Sequence, residues 1–183
     1  MTRRSMSVGV RFLALAALVA VDACASPDHI ITLEDPEEAQ EFQESLDQYA
    51  TSVEHLLQDT QKGQNVSEFS MGMLSYNILM TVSSSDKSLH DYFNSGGQDI
   101  QDYLKTRFQD HPDEEIATLD KMSDRGTYPL RSSARYTLEA LTHIPDAHDP
   151  PSVQQQSRAE LALALERTKS YLSEAAEEVR TSK

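Results

Sequence analysis

Lys121, Arg125, Arg131 and Arg135 stand within fifteen residues of one another, with Asp124 the only acid among them, in a chain whose formal charge is −14. Arg131 and Arg135 are four apart, so on a helix they share one face. Gly126, Tyr128 and the turn before Pro129 could add backbone N–H donors. The chemistry open to such a cluster is anion binding, with a guanidinium gripping a carboxylate or phosphate through two parallel hydrogen bonds. Arg125, Arg131 and Arg135 are therefore the candidate anion-binding residues. The competing reading pairs these arginines with the surplus carboxylates of the chain itself.

Other residues with chemical potential carry weaker patterns. His143, Asp146, His148 and Asp149 fall in one short stretch, but their spacing matches no strong zinc pattern and prolines at 145 and 150 restrict convergence. Asp149 is expected to cap the helix that follows. Met71 and Met73 sit in an apolar run where methionine usually fills core gaps rather than binding copper. His111 reads as a helix-entry residue before Pro112. Asn65-Val66-Ser67 is a glycosylation sequon only in a eukaryotic secretory host. There is no G-x-S-x-G, no H-E-x-x-H and no phosphate-binding glycine loop. No catalytic residue, metal site or cofactor is expected.

These residues need a scaffold, and the chain is long enough for one. It has 183 residues, 38% of them hydrophobic, which suits a single domain with one core. The negative charge excludes nucleic acid as a main partner. The one cysteine, Cys24, excludes an internal disulfide framework.

Arg3, Arg4 and Arg11 precede ten uncharged, apolar residues at 12–21, the charged and apolar regions of a secretory signal. Ten residues cover only about 15 Å as a helix, half a bilayer core. Paired Arg3 and Arg4 also weakly resemble a twin-arginine signal, a reading set aside because Ser7 interrupts the apolar stretch. Val21-Asp22-Ala23-Cys24 resembles the lipobox of bacterial lipoprotein precursors, with Asp22 where a small or apolar residue is usual. The resemblance implies a lipid on Cys24, a membrane partner through that lipid and, with Ala25 following, the outer membrane of a Gram-negative cell. The alternative is Ala23-Cys24-Ala25 as an ordinary signal-peptidase site, with release before Ser26 into the periplasm or medium. Either cut removes Arg3, Arg4, Arg11 and Asp22, leaving 13 basic and 29 acidic residues, net −16.

Proline and glycine divide the remainder into helices. Asp35-Pro36-Glu37-Glu38 is a helix start, and Phe42, Leu46, Tyr49, Val53 and Leu56 make a seam running to about Gln61 before Gly63. Asn65 and Glu68 are expected to cap a second helix, apolar nearly all round and so assigned to the centre of the core. Ser83-Ser84-Ser85 is read as the turn that ends it. Shorter helices are predicted from Leu89, from Ile100, from Pro112 and from Pro129. A last helix of about 30 residues starts near Pro150-Pro151, with a seam through Leu161, Leu165, Thr168, Leu172, Ala175 and Val179.

The predicted fold is all-α, a compact bundle of five to seven helices with long first and last members. Residues 1–25 form the signal peptide, 26–34 a tether and 35–183 one helical domain. The expected function is that of an exported, lipid-anchored envelope protein that binds or scaffolds a protein partner. Ten carboxylates at 28–59, with no Lys or Arg over 12–61, are read first as a solvated face, with a cationic partner or divalent cations as the functional alternative. The competing expectation is a small exported all-α enzyme or anion-binding receptor built on Arg125, Arg131 and Arg135.

Overall fold

A computed structural model describes residue 33 and residues 35–181, apart from the side chains of Arg125, Arg180 and Thr181; the signal segment and Cys24 lie outside the described residues. The described residues form seven helices and no strand, the all-α bundle expected. They are α1 (Pro36–Gln61), α2 (Glu68–Ser85), α3 (Lys87–Phe93), α4 (Ile100–Tyr103), α5 (Pro112–Met122), α6 (Pro129–Thr142) and α7 (Pro151–Thr181).

Local chemistry sets the boundaries. Asp35 caps α1 by accepting the Glu37 N–H at 2.9 Å, and Pro36 occupies the first turn, where a missing N–H costs nothing. Gly63 turns the chain out of α1 at φ +75°, a left-handed conformation that suits a residue without Cβ. Pro112, Pro129 and Pro151 each open a helix in the same way. The cap of α2 differs from the sequence expectation. Ser67, not Asn65, accepts the Ser70 N–H at 3.4 Å, while Asn65 accepts a hydrogen bond from Arg158 of α7 at 3.1 Å. The three serines at 83–85 do not end α2 early. Their hydroxyls donate to carbonyls three residues back, and the helix stops at Asp86.

The long helices α1 and α7 make the most extensive pairing of the fold. Glu54 meets Lys169 and Asn65 meets Arg158, eleven residues on along one segment and eleven back along the other, so the two run antiparallel. Leu46, Val53, Leu161, Leu165 and Leu172 are fully buried between them and the rest of the core. Truncating any one of these leucines to alanine would cost about 2–5 kcal/mol.

The core centre is held by α6 and not, as expected, by α2. Nine of its fourteen residues are buried, and it packs on α7, α5 and α2. Ser132, Ser133, Ala134 and Thr137 are small, so three neighbours can approach its axis closely. α2 buries Met71, Ile78, Leu79 and Val82 against this core and turns its other apolar face outward.

Candidate functional site

The arginine cluster comes apart in three dimensions. Arg131 lies in the first turn of α6, 4% exposed, and grips Asp86 through Nε to Oδ2 at 2.6 Å and Nη2 to Oδ1 at 3.1 Å. Its Nη1 donates to the Met122 carbonyl at 3.2 Å, at the end of α5. Arg135 lies over the Tyr136 ring at 4.0 Å and forms ion pairs with Asp120, at 3.4 Å, and with Glu139. These ion pairs are close in distance without the alignment of hydrogen bonds. Arg125 sits in the turn between α5 and α6, and its side chain is outside the described residues. Arg131 and Arg135 thus serve the bundle, pairing with carboxylates of the chain itself. This is the competing reading of the cluster, in which the arginines meet acids of the chain itself: burial without a counter-charge would cost several kcal/mol, so the guanidinium of Arg131 is matched inside the fold.

A second polar cluster had no strong signal in the sequence. Glu115, in the first turn of α5, is 5% exposed. Its Oε1 accepts from Arg107 Nε at 2.7 Å, and its Oε2 accepts from the Tyr92 hydroxyl and from the Tyr103 hydroxyl at 3.0 Å. Arg107 lies over the Tyr92 ring at 4.5 Å and donates from Nη1 to Ser95 at 3.0 Å. It is carried on a π-type stretch, Leu104–Phe108, that continues α4 and widens the helix by a residue per turn. Phe93 packs edge-on against Tyr103 at 4.9 Å. Burial, with the Glu115 carboxylate second, pushes both tyrosine hydroxyls well above the ordinary phenol range, so they remain donors. Both oxygens of Glu115 are thus occupied from within the fold. Of these residues only the four-residue spacing of Tyr103 and Arg107 was visible along the chain.

His143 Nδ1 faces Glu160 of α7 at 3.1 Å, and Asp146 organises its loop by accepting the His148 N–H at 2.8 Å. Among the described residues no three His, Cys, Asp or Glu side chains converge as metal ligands, and no helix is long and apolar enough to cross a membrane. Asp47, Thr51, Glu54, Lys169 and Ser173 line an open groove of about 390 Å³ between α1 and α7. The Lys169 ammonium, hydrogen-bonded to Glu54, holds that carboxyl below its ordinary range.

Among the described residues, exposed large apolar side chains line up on the outer face of α2, whereas Val153 and Leu163 stand singly on α7. Phe69 is 77% exposed, Met73 48% and Met80 45%, with half-buried Tyr76 between them. Their spacings of 4, 3 and 4 place them in one strip along the helix. No residue from 69 to 85 is charged. Met71, earlier considered beside Met73, is buried on the opposite side, so the two methionines do not meet. The chain matches no protein-family model, no curated protein and no solved structure.

Proposed function

We propose that this chain is an exported, lipid-anchored envelope protein that binds or scaffolds, with Cys24 as the lipid attachment point and the outer face of α2 as its contact surface. The observation that carries the binding role is the α2 strip. A largely exposed phenylalanine and two half-exposed methionines lie on an uncharged face of a strongly acidic chain. Large apolar residues aligned on one face mark an interaction site more often than residues scattered singly. The fates of Arg131 and Arg135 favour this reading over an anion-binding receptor or enzyme, because their guanidinium groups already meet carboxylates. The carboxylates of α1, including Glu37, Glu38, Glu41 and Glu44, are exposed and would repel anionic surfaces and draw cationic ones. The apolar 12–21 segment and the lipobox-like residues ending at Cys24 support export and anchoring.

Two measurements test the proposal. Labelled palmitate should enter the wild-type chain and not Cys24→Ser, and a mature, unmodified N-terminus at Ser26 would replace anchoring with soluble secretion. For the binding role, native gels of the envelope fraction should show the wild type in a species larger than one chain. Met73→Glu/Met80→Glu should shift it to the single-chain position. Identical migration of the two would overturn the assignment of α2.

A further inference from the structure

We propose that the occupant of the α2 strip is a second copy of this chain, with the two α2 helices packed antiparallel. The inference rests on the reading of that strip as a contact surface and names what it contacts.

Charge restricts where two copies can meet. Two mature chains of net −16 repel one another over most approaches, and repulsion is least where neither presents charge. Residues 69–85 are such a face. Spacings of 4, 3 and 4 average close to the 3.5-residue period that lets two helices keep a common seam at a shallow crossing angle.

A two-fold pair demands self-complementarity, and the strip has it. An antiparallel register centred between Tyr76 and Asn77 sets Met73 opposite Met80 of the second copy. It sets bulky Phe69 opposite the small, exposed Ser84. The exposed charges that bound the strip are Glu68 at one end and, past the buried and paired Asp86, Lys87 just beyond the other, opposite in sign. In the antiparallel register each Glu68 lies at the end carrying the second copy's Lys87. A parallel register would bring like charges together.

Gly72 supports the same contact. It lies inside a helix, where glycine is about 1 kcal/mol less favourable than alanine. Among the described residues nothing occupies the space a Cβ there would take. A glycine without an internal packing reason on the contact side allows another backbone to approach. At 18 residues α2 is about 27 Å long, and one helix pair of that length buries on the order of 400 Å² per chain. That area corresponds to weak, reversible association.

Cysteine bridging in intact envelopes tests the register. Tagged Met73→Cys chain is co-expressed with Met80→Cys chain and mildly oxidised. The two positions are about 10.5 Å apart on one helix, too far for a bridge within a chain, whereas facing helices bring them within range. A covalent mixed dimer, several-fold more abundant than dimers from either variant alone, is expected. Bridges from Met73→Cys alone would overturn the antiparallel register. Adducts only to other proteins or to lipid would overturn the second copy while leaving α2 a binding face.

Sedimentation of the purified mature protein supplies the second readout. Screening of like charge should raise the dimer association constant several-fold between about 50 and about 500 mM salt. Met73→Glu should lower it at least tenfold with unchanged helix content. Association that falls with salt, or that is indifferent to Met73→Glu, would overturn the proposal.

Discussion

Asp86 and Arg131 are 45 residues apart in sequence and form a bidentate pair in the interior, 3% and 5% exposed at their side chains. The same carboxylate caps α3, because its Oδ1 also accepts the N–H groups of Ser88 at 2.9 Å and Leu89 at 3.1 Å. Through the third arm of Arg131, to the Met122 carbonyl, the pair ties the α2–α3 corner and the end of α5 to the start of α6. One buried carboxylate thus terminates one helix, starts another and anchors a third.

Breaking this pair from one side should be costly. Arg131→Met is expected to lose about 3–5 kcal/mol, because Asp86 stays buried without its guanidinium. Asp86→Asn should cost a similar amount while keeping an oxygen for the cap. The double variant should lose clearly less than the sum, since neither charge is then left alone. Urea melts of the four proteins measure the coupling, and simple additivity would contradict it.

The tyrosine–glutamate cluster predicts an alkaline limit. Folding raises the Tyr92 and Tyr103 hydroxyls above the unfolded value of 10.0, so the folded state holds their protons more tightly. Their contribution is fully present below pH 10 and is lost as pH rises beyond it. Melting temperature should fall steeply above that pH, and Tyr92→Phe/Tyr103→Phe should flatten the fall at the cost of lower stability near neutrality. An equally steep fall in the double variant would show that other groups govern it.

Gly126 should tolerate no side chain. It holds φ +92°, and a Cβ there would lie 2.5 Å from the Tyr171 hydroxyl and 3.4 Å from its Cζ. The Tyr171 ring cannot readily retreat, because it stacks on Tyr136 at 5.6 Å with the planes 5° apart. Gly126→Ala should cost about 1–3 kcal/mol from strain alone. In a Tyr171→Phe background part of the cost should disappear and the backbone part remain. Thermal melts separate the two contributions.

The acidic face of α1 is expected to matter for encounter and not for folding. Glu41, Glu44 and Asp47 are exposed, and Glu44 accepts a hydrogen bond from Gln40, one turn back on the same helix, at 2.8 Å. Glu41→Gln/Glu44→Gln/Asp47→Asn should leave stability unchanged or slightly raised at low salt, with the difference vanishing at high salt. A large loss in the melting curve would show that these carboxylates hold internal contacts, with Asp47 in the α1–α7 groove the first to examine.

Helix placement was legible in the sequence because its signals are local. Asp35 caps α1 through an N–H two residues away, and Pro36, Pro112, Pro129 and Pro151 start helices through their own missing N–H. The seam of α7 was legible because a regular apolar pattern leaves one face to bury. In α1 Phe42, Leu46 and Val53 held, while the buried positions beside them went to Ala50 and Leu57, with Tyr49 and Leu56 only partly buried. The cap of α2 was misplaced by two residues because Asn65 and Ser67 are both able caps. Ser67 holds the cap, and Asn65 is engaged instead by Arg158, 93 residues away.

By itself, then, the sequence determined the all-α class, the long first and last helices and the acidic surface, all of which depend on neighbours within a few residues. Which face of α2 points inward was decided only by tertiary structure. A helix apolar nearly all round has no preferred face until small-sided α6 takes the centre and leaves Phe69, Met73 and Met80 outside. The partners of Arg131 and Glu115 were decided there too. Any of the chain's many carboxylates could neutralise a guanidinium, and the choice depended on which of them the packed helices buried beside it.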